Sequence, residues 1–108
     1  MKFWIDDVRQ PPNENNVFWY WAKSVKDAIN AIKSFEEQFE IELIDIDHDA
    51  GDYVNDGGDY IKVLDWLAET GRSYPIRIHS MNVVGVENMR RIIRKNGSYP
   101  CYWRYRLW

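Results

Sequence analysis

Short runs of branched or aromatic residues alternate along this chain with longer stretches whose apolar residues recur every three or four positions. That alternation is the strongest constraint on the fold, because strands separated by helices pair side by side in a mostly parallel sheet with helices on its faces. "KFWI" (Lys2–Ile5) predicts a first strand and "VFWYW" (Val17–Trp21) a second. Ala22, Val25, Ala28, Ile29, Ile32, Phe35 and Phe39 then follow a helical spacing. Ser24 with Asp27 three residues on is a capping-box pattern, and Lys23, Lys26, Lys33, Glu36 and Glu37 form the solvated face. "IELIDID" predicts the third strand, followed by a glycine-punctuated loop with "DGGD" at 56–59 leading into a helix. That helix spans Asp59 to Glu69, with Ile61, Leu64, Leu67 and Ala68 on one face and Gly71 as its stop. "PIRIHS" predicts the fourth strand. "MNVVG" turns into a helix with Val86, Met89, Ile92 and Ile93 inward, closed by Asn96-Gly97.

"CYWRYRLW" predicts a final strand, with Cys101, Trp103, Tyr105 and Leu107 facing one way and Tyr102, Arg104, Arg106 and Trp108 the other. The order β-β-α-β-α-β-α-β fills one domain over residues 1–108. One connection departs from the pattern. "RQPPNENN" is too short for an ordinary crossover helix, so the second strand is either antiparallel or reached by an irregular crossing.

Composition narrows the class. Cys101 is the single cysteine, so the chain closes no disulfide on itself. "MKFWIDDVRQPP" lacks the basic and apolar regions of a signal peptide, and no run reaches the length of a membrane span. The expectation is a cytoplasmic protein without membrane contact. The net charge of −3 hides an asymmetry: residues 1–71 hold 16 acidic and 6 basic residues, residues 72–108 hold 1 acidic and 8 basic. Such a split suits a site with an acidic and a basic pole, and equally suits pairing across the fold. Arg90, Arg91, Arg94 and Lys95 on the last helix read as a solvated face or as anion steering. The acidic balance argues against nucleic-acid binding other than at RNA ends. Six Trp and seven Tyr supply core area first and stacking surface second.

Three strands end in reactive groups. The first ends in Asp6-Asp7 with Arg9 beyond, the third in Asp47-His48-Asp49, the fourth in His79-Ser80 with Asn82 beyond. Ligands of open parallel sheets bind outside the carboxyl ends of the strands, and both histidines of the chain fall there. Converging carboxylates repel one another unless a cation joins them. Hard oxygen donors suit Mg²⁺ or Mn²⁺, so Asp6, Asp7 and Asp47 are the expected ligands, with Asp49 as a fourth. His48 and His79 are the expected acid and base, and Arg9, Ser80 and Asn82 the expected phosphate contacts. Together these parts suit phosphoryl chemistry. Singly, each residue has a plainer role: an Asp pair before a loop serves turns, Asp49 near Gly51 shapes one, and an isolated histidine is commonly structural. Asp45 shares the face of Asp47 but sits deeper, where pairing with an arginine would account for it. Neither a P-loop nor a dinucleotide fingerprint is present, and Cys101 lacks a partner motif for a catalytic thiol.

"IDDVRQPP", "DIDHDAG", "GGDYIKVLDWL" and "IHSMNVVGVENM" resemble the cyclic-phosphate processing receiver-like family over nearly the whole chain. The resemblance implies a flavodoxin-like, three-layer α/β sandwich with five mostly parallel strands in the order 2-1-3-4-5. It also implies that the proline loop replaces the first receiver helix; the missing last receiver helix is a departure from the receiver pattern. A homodimer through the uncovered final strand, involving Trp103 or Trp108, is a corresponding expectation. The activity it implies is metal-assisted hydrolysis of small cyclic phosphates or cyclic nucleotides. The same site would serve a module that sequesters a cyclic nucleotide without cleaving it, as in phage–host conflict. A signalling receiver phosphorylated on Asp47 is the third reading. Against it, the last strand offers Arg104 and Arg106 where receivers usually carry a lysine.

Overall fold

The computed structural model describes residues 1–96 and the backbone of residues 101–104. Four parallel strands and three helices form the frame: β1 Lys2–Ile5, β2 Trp19–Ala22, α1 Val25–Phe35, β3 Leu43–Ile46, α2 Ile61–Glu69, β4 Ile76–His79 and α3 Val83–Lys95. The strands lie in the order β2-β1-β3-β4, and the backbone of Cys101–Arg104, β5, runs parallel to β4. The expected alternation of side chains over 101–108, including Arg104, Arg106, Trp103 and Trp108, lies outside the described residues. Strand β2 is parallel to β1, so the 6–18 connection is the irregular crossing, not an antiparallel return.

Register sorts the side chains into two faces. Tyr20, Phe3, Ile44 and Ile76 form one row across the sheet, and Ala22, Ile5, Ile46 and Ile78 another on the same face. Val25, Ala28 and Ile32 of α1, Leu64 and Leu67 of α2, and Val86, Met89 and Ile93 of α3 all join the apolar cluster on that face. The described helices therefore cover one side of the sheet, and the expected three layers reduce to two there. The physical reason is the 6–18 connection, which contains Pro11-Pro12 and forms no helix.

The opposite face carries the row Trp21, Trp4, Asp45 and Arg77. The proline loop crosses over it instead of a helix. Trp4 Nε1 donates to the Arg9 carbonyl at 2.7 Å, and Trp21 Nε1 to the Asp6 carbonyl at 2.8 Å. The Trp4 and Trp19 rings meet edge to face at 5.8 Å. These contacts bury Trp4 completely although it stands outside the main core. Truncating such a ring to alanine costs about 3–5 kcal/mol, so the cover that this loop gives Trp4 matters to stability although it is not a third layer.

Candidate functional site

The site grows from the carboxyl ends of β1, β3 and β4. Asp6 follows directly on β1 and is fully buried. Its Oδ1 accepts from the backbone N–H groups of Val8 and Arg9 at 3.0 and 2.9 Å. Its Oδ2 contacts His79 Nε2 at 2.8 Å. Burial alone would raise the Asp6 pKa, but the hydrogen bonds from His79, Arg9 and Val8 outweigh it and hold the carboxylate below its usual range.

His79, the last residue of β4, is also fully buried, and its Nδ1 contacts Asp45 Oδ1 at 2.6 Å. The ring stacks on the Trp4 indole, with centroids 3.9 Å apart and planes 5° from parallel. Burial disfavours the imidazolium, yet the two flanking carboxylates win and raise its pKa. Of the two histidines expected as acid and base, His79 has both ring nitrogens engaged and no side-chain exposure. Asp45, which the sequence left without a firm role, bonds Arg77 as well, through Nε at 2.8 Å and Nη2 at 2.7 Å. Arg77 was not singled out from the sequence; an opposite charge directly across a strand pair from Asp45 is the signal that would have found it.

Asp7 and Asp47 complete a group with Asp6 in which one carboxylate oxygen from each lies within 4.8 Å of the others. Burial raises the Asp7 pKa first, and the adjoining Asp6 carboxylate raises it further. Burial likewise raises that of Asp47, against hydrogen bonds from the His48 backbone and Ser80. Gly51 (φ +55°) lets the loop after β3 close over Asp7, since a Cβ there would collide with the Asp7 carboxylate. The donor set fits a hard divalent cation. Ligands at about 2.1 Å place opposed oxygens about 4.2 Å apart, which is compatible with three oxygens that all lie within 4.8 Å of one another.

Asp49, the expected fourth ligand, stands in a second group beside this trio. Pointing outward from the loop, it groups with His48 and Asp59, where His48 Nδ1 lies 2.7 Å from Asp49 Oδ1. Asn82, the N-cap of α3, spans to both at 3.4 and 3.3 Å while its own oxygen accepts from the Gly85 N–H. Gly85 provides the space for the His48 ring; a Cβ would approach its Cδ2 to 2.5 Å. Ser80 is buried, and its hydroxyl accepts from the Asn82 N–H. Arg9 is half-buried, with Nη2 3.7 Å from the Met81 sulfur. Asp59, Gly51 and Gly85 were also missed as site-shaping residues, because their effect depends on which loops meet across the sheet edge.

Neither curated proteins nor solved structures yield a match. A family model does match, over residues 1–95, and it is described as the cyclic-phosphate processing receiver domain. The residues it spans include all three strand ends and the parallel frame that brings them together. By that match the chain belongs to the family of cyclic-phosphate processing receiver domains.

Proposed function

We propose that this chain is a metal-assisted phosphodiesterase acting on small cyclic phosphates or cyclic nucleotides, in the cytoplasm, on a receiver sheet of five strands in the order 2-1-3-4-5. One observation carries the reading: Asp6, Asp7 and Asp47 converge within 4.8 Å at the sheet edge where His48 and Asn82 also stand. These three aspartates would hold Mg²⁺ or Mn²⁺, which supplies charge neutralisation at a phosphoryl oxygen when bound.

The chain's own groups supply the rest. Asp49 accepts at His48 Nδ1, leaving Nε2, which no described residue engages, as the base. His48 takes the proton of an attacking water as its oxygen bonds to phosphorus, and the ring P–O bond breaks. The departing oxygen regains a proton from solvent at the open edge. Asn82, Arg9 and Ser80 border the phosphate position. Val8, Met81, Val83 and Val84, exposed by 74, 47, 63 and 73%, adjoin those polar residues in the chain and give the organic part of the ligand an apolar surface. The expected assembly is a homodimer through the last strand, which light scattering reads.

The sealed position of His79 favours a second reading, a sequestering module, because only one histidine stands at the rim. Incubation with 2′,3′-cyclic and 3′,5′-cyclic nucleotides and Mg²⁺ or Mn²⁺, with product and bound ligand both followed, separates the two. Turnover lost in Asp47→Asn is the expected result. Tight binding without turnover leaves the sequestering module, and no ligand or cation binding removes the site. Labelling of Asp47 by acetyl phosphate would instead favour a signalling receiver.

A further inference from the structure

Asp45 is an expensive residue for its position. It lies on β3 between β1 and β4, has no solvent exposure, and stands where an apolar side chain would normally go. Replacing a buried ion pair by apolar residues is commonly neutral or stabilising, so stability alone does not account for it. Its contacts are directional. Arg77 closes on Oδ2 and His79 Nδ1 on Oδ1, so the carboxylate is held at both oxygens. The Trp4 indole lies flat on the His79 ring and restricts its rotation. Only one course remains for His79 Nε2, which points at Asp6 Oδ2. The backbone donors of Val8 and Arg9 hold the other Asp6 oxygen.

We propose that Arg77, Asp45 and His79 form a buried positioning relay that fixes the rotamer of Asp6, and through it the affinity of the Asp6–Asp7–Asp47 cluster for a divalent cation. The inference rests on the cation reading above. None of the three relay residues belongs to the aspartate trio, and His79 contacts it at Asp6. Partners of metal ligands act in this way elsewhere: they orient the ligand, and their removal typically costs about 10–100-fold in metal affinity.

The test titrates the full chain with MnCl₂ alone and follows heat. Asp45→Asn keeps the shape and removes the charge; Mn²⁺ affinity is expected to fall about tenfold or more. Arg77→Gln is expected to lower it less, and Arg77→Lys to recover part of that loss. Glu36→Gln, which breaks an ion pair elsewhere, lowers the melting temperature and leaves Mn²⁺ affinity alone. An Asp45→Asn protein with wild-type affinity overturns the relay, even if it melts earlier. If Asp45→Asn does not fold, the Arg77 pair decides, since Arg77 is partly exposed, and an unchanged affinity in Arg77→Gln overturns it. If the wild type takes up no Mn²⁺, the cation reading falls by itself. The relay is then judged by the ¹³C shift of the Asp6 carboxyl, assigned with Asp6→Asn. A change in that shift in Asp45→Asn or Arg77→Gln supports the relay, and an unmoved shift overturns it.

Discussion

At the scale of single residues the site depends on two glycines as much as on its acids. Gly85 stands in the first turn of α3, where alanine would ordinarily favour the helix by roughly 0.5–1 kcal/mol. Its added Cβ would meet His48 Cδ2, Cγ and Nδ1 at 2.5, 2.6 and 2.9 Å. Those atoms belong to the near side of a rigid ring, whose backbone carbonyl is also held by the Tyr60 N–H at 2.9 Å. Relief by a small side-chain swing is therefore closed off. Overpacking of this kind costs about 1–3 kcal/mol and exceeds the helix gain. Gly85→Ala is expected to destabilise the fold modestly, read by urea unfolding, and to displace His48 from Asp49. The displacement appears as a lowered turnover or ligand affinity with a smaller change in the Mn²⁺ titration, because His48 reaches the aspartate trio through its backbone N–H on Asp47 and not through its ring. A fully active Gly85→Ala protein would remove His48 from the mechanism.

At the scale of elements, a clasp ties α1 to the segment before β4. Glu36 at the end of α1 accepts from Arg72 Nε at 3.0 Å and Nη2 at 2.7 Å, and from the Tyr74 hydroxyl. Arg72 is the main reason the Glu36 pKa lies below its usual value. A carboxyl with a depressed native pKa stabilises the fold above its unfolded pKa and loses that contribution as pH falls through the native value. Glu36→Gln is therefore expected to cost about 1 kcal/mol at pH 7, since the pair is partly exposed, and much less at pH 3. Urea unfolding at the two pH values checks it; an equal gap at both would mean that the charge contributes nothing. The elements themselves were largely legible in the sequence where local rules decide. Lys2–Ile5 forms β1 as expected, and Ser24 caps α1 by accepting from the Asp27 N–H at 3.0 Å. The reciprocal half of the capping box does not form, because Asp27 accepts from the Tyr20 hydroxyl at 2.7 Å. Helix α1 ends at Phe35, short of Phe39, which stays half exposed. Strand β2 begins at Trp19; Phe18 still accepts from the Lys2 N–H through its carbonyl, but its side chain is exposed. Asp45 is buried and paired with an arginine as expected, but which arginine was not legible: the pairing of β3 with β4 sets it opposite Arg77, and spacing along the chain carries no such information.

At the scale of the whole molecule, the charge asymmetry between the two halves resolves into two kinds of contact. Arg72–Glu36 and Arg77–Asp45 pair the basic half with the acidic half, while Arg90 and Arg94 turn to Glu87 within their own half. The first kind does not reach Asp6, Asp7 and Asp47: the ion-pair contact described beside this trio is that of Asp6 with His79. Folding thus gathers three like charges that unfolding would release. Two unit charges 4 Å apart at an effective dielectric of 20 interact by about 4 kcal/mol, of which water at the open edge screens a large part. Asp7→Asn removes one charge with little change of shape. Without added cation the variant is expected to be more stable than the wild type, by on the order of 1 kcal/mol. Cation binding reverses the order. A ligand at a hundred times its Kd stabilises the native state by about 2.7 kcal/mol, which in a domain of this size raises the melting temperature by ~10 °C. The wild type should gain that shift in excess Mn²⁺ and Asp7→Asn should lose most of it. Melting curves of both proteins with EDTA and with Mn²⁺ are therefore expected to cross. Curves that keep the same order in both solutions would show that the aspartates do not act as one cation site.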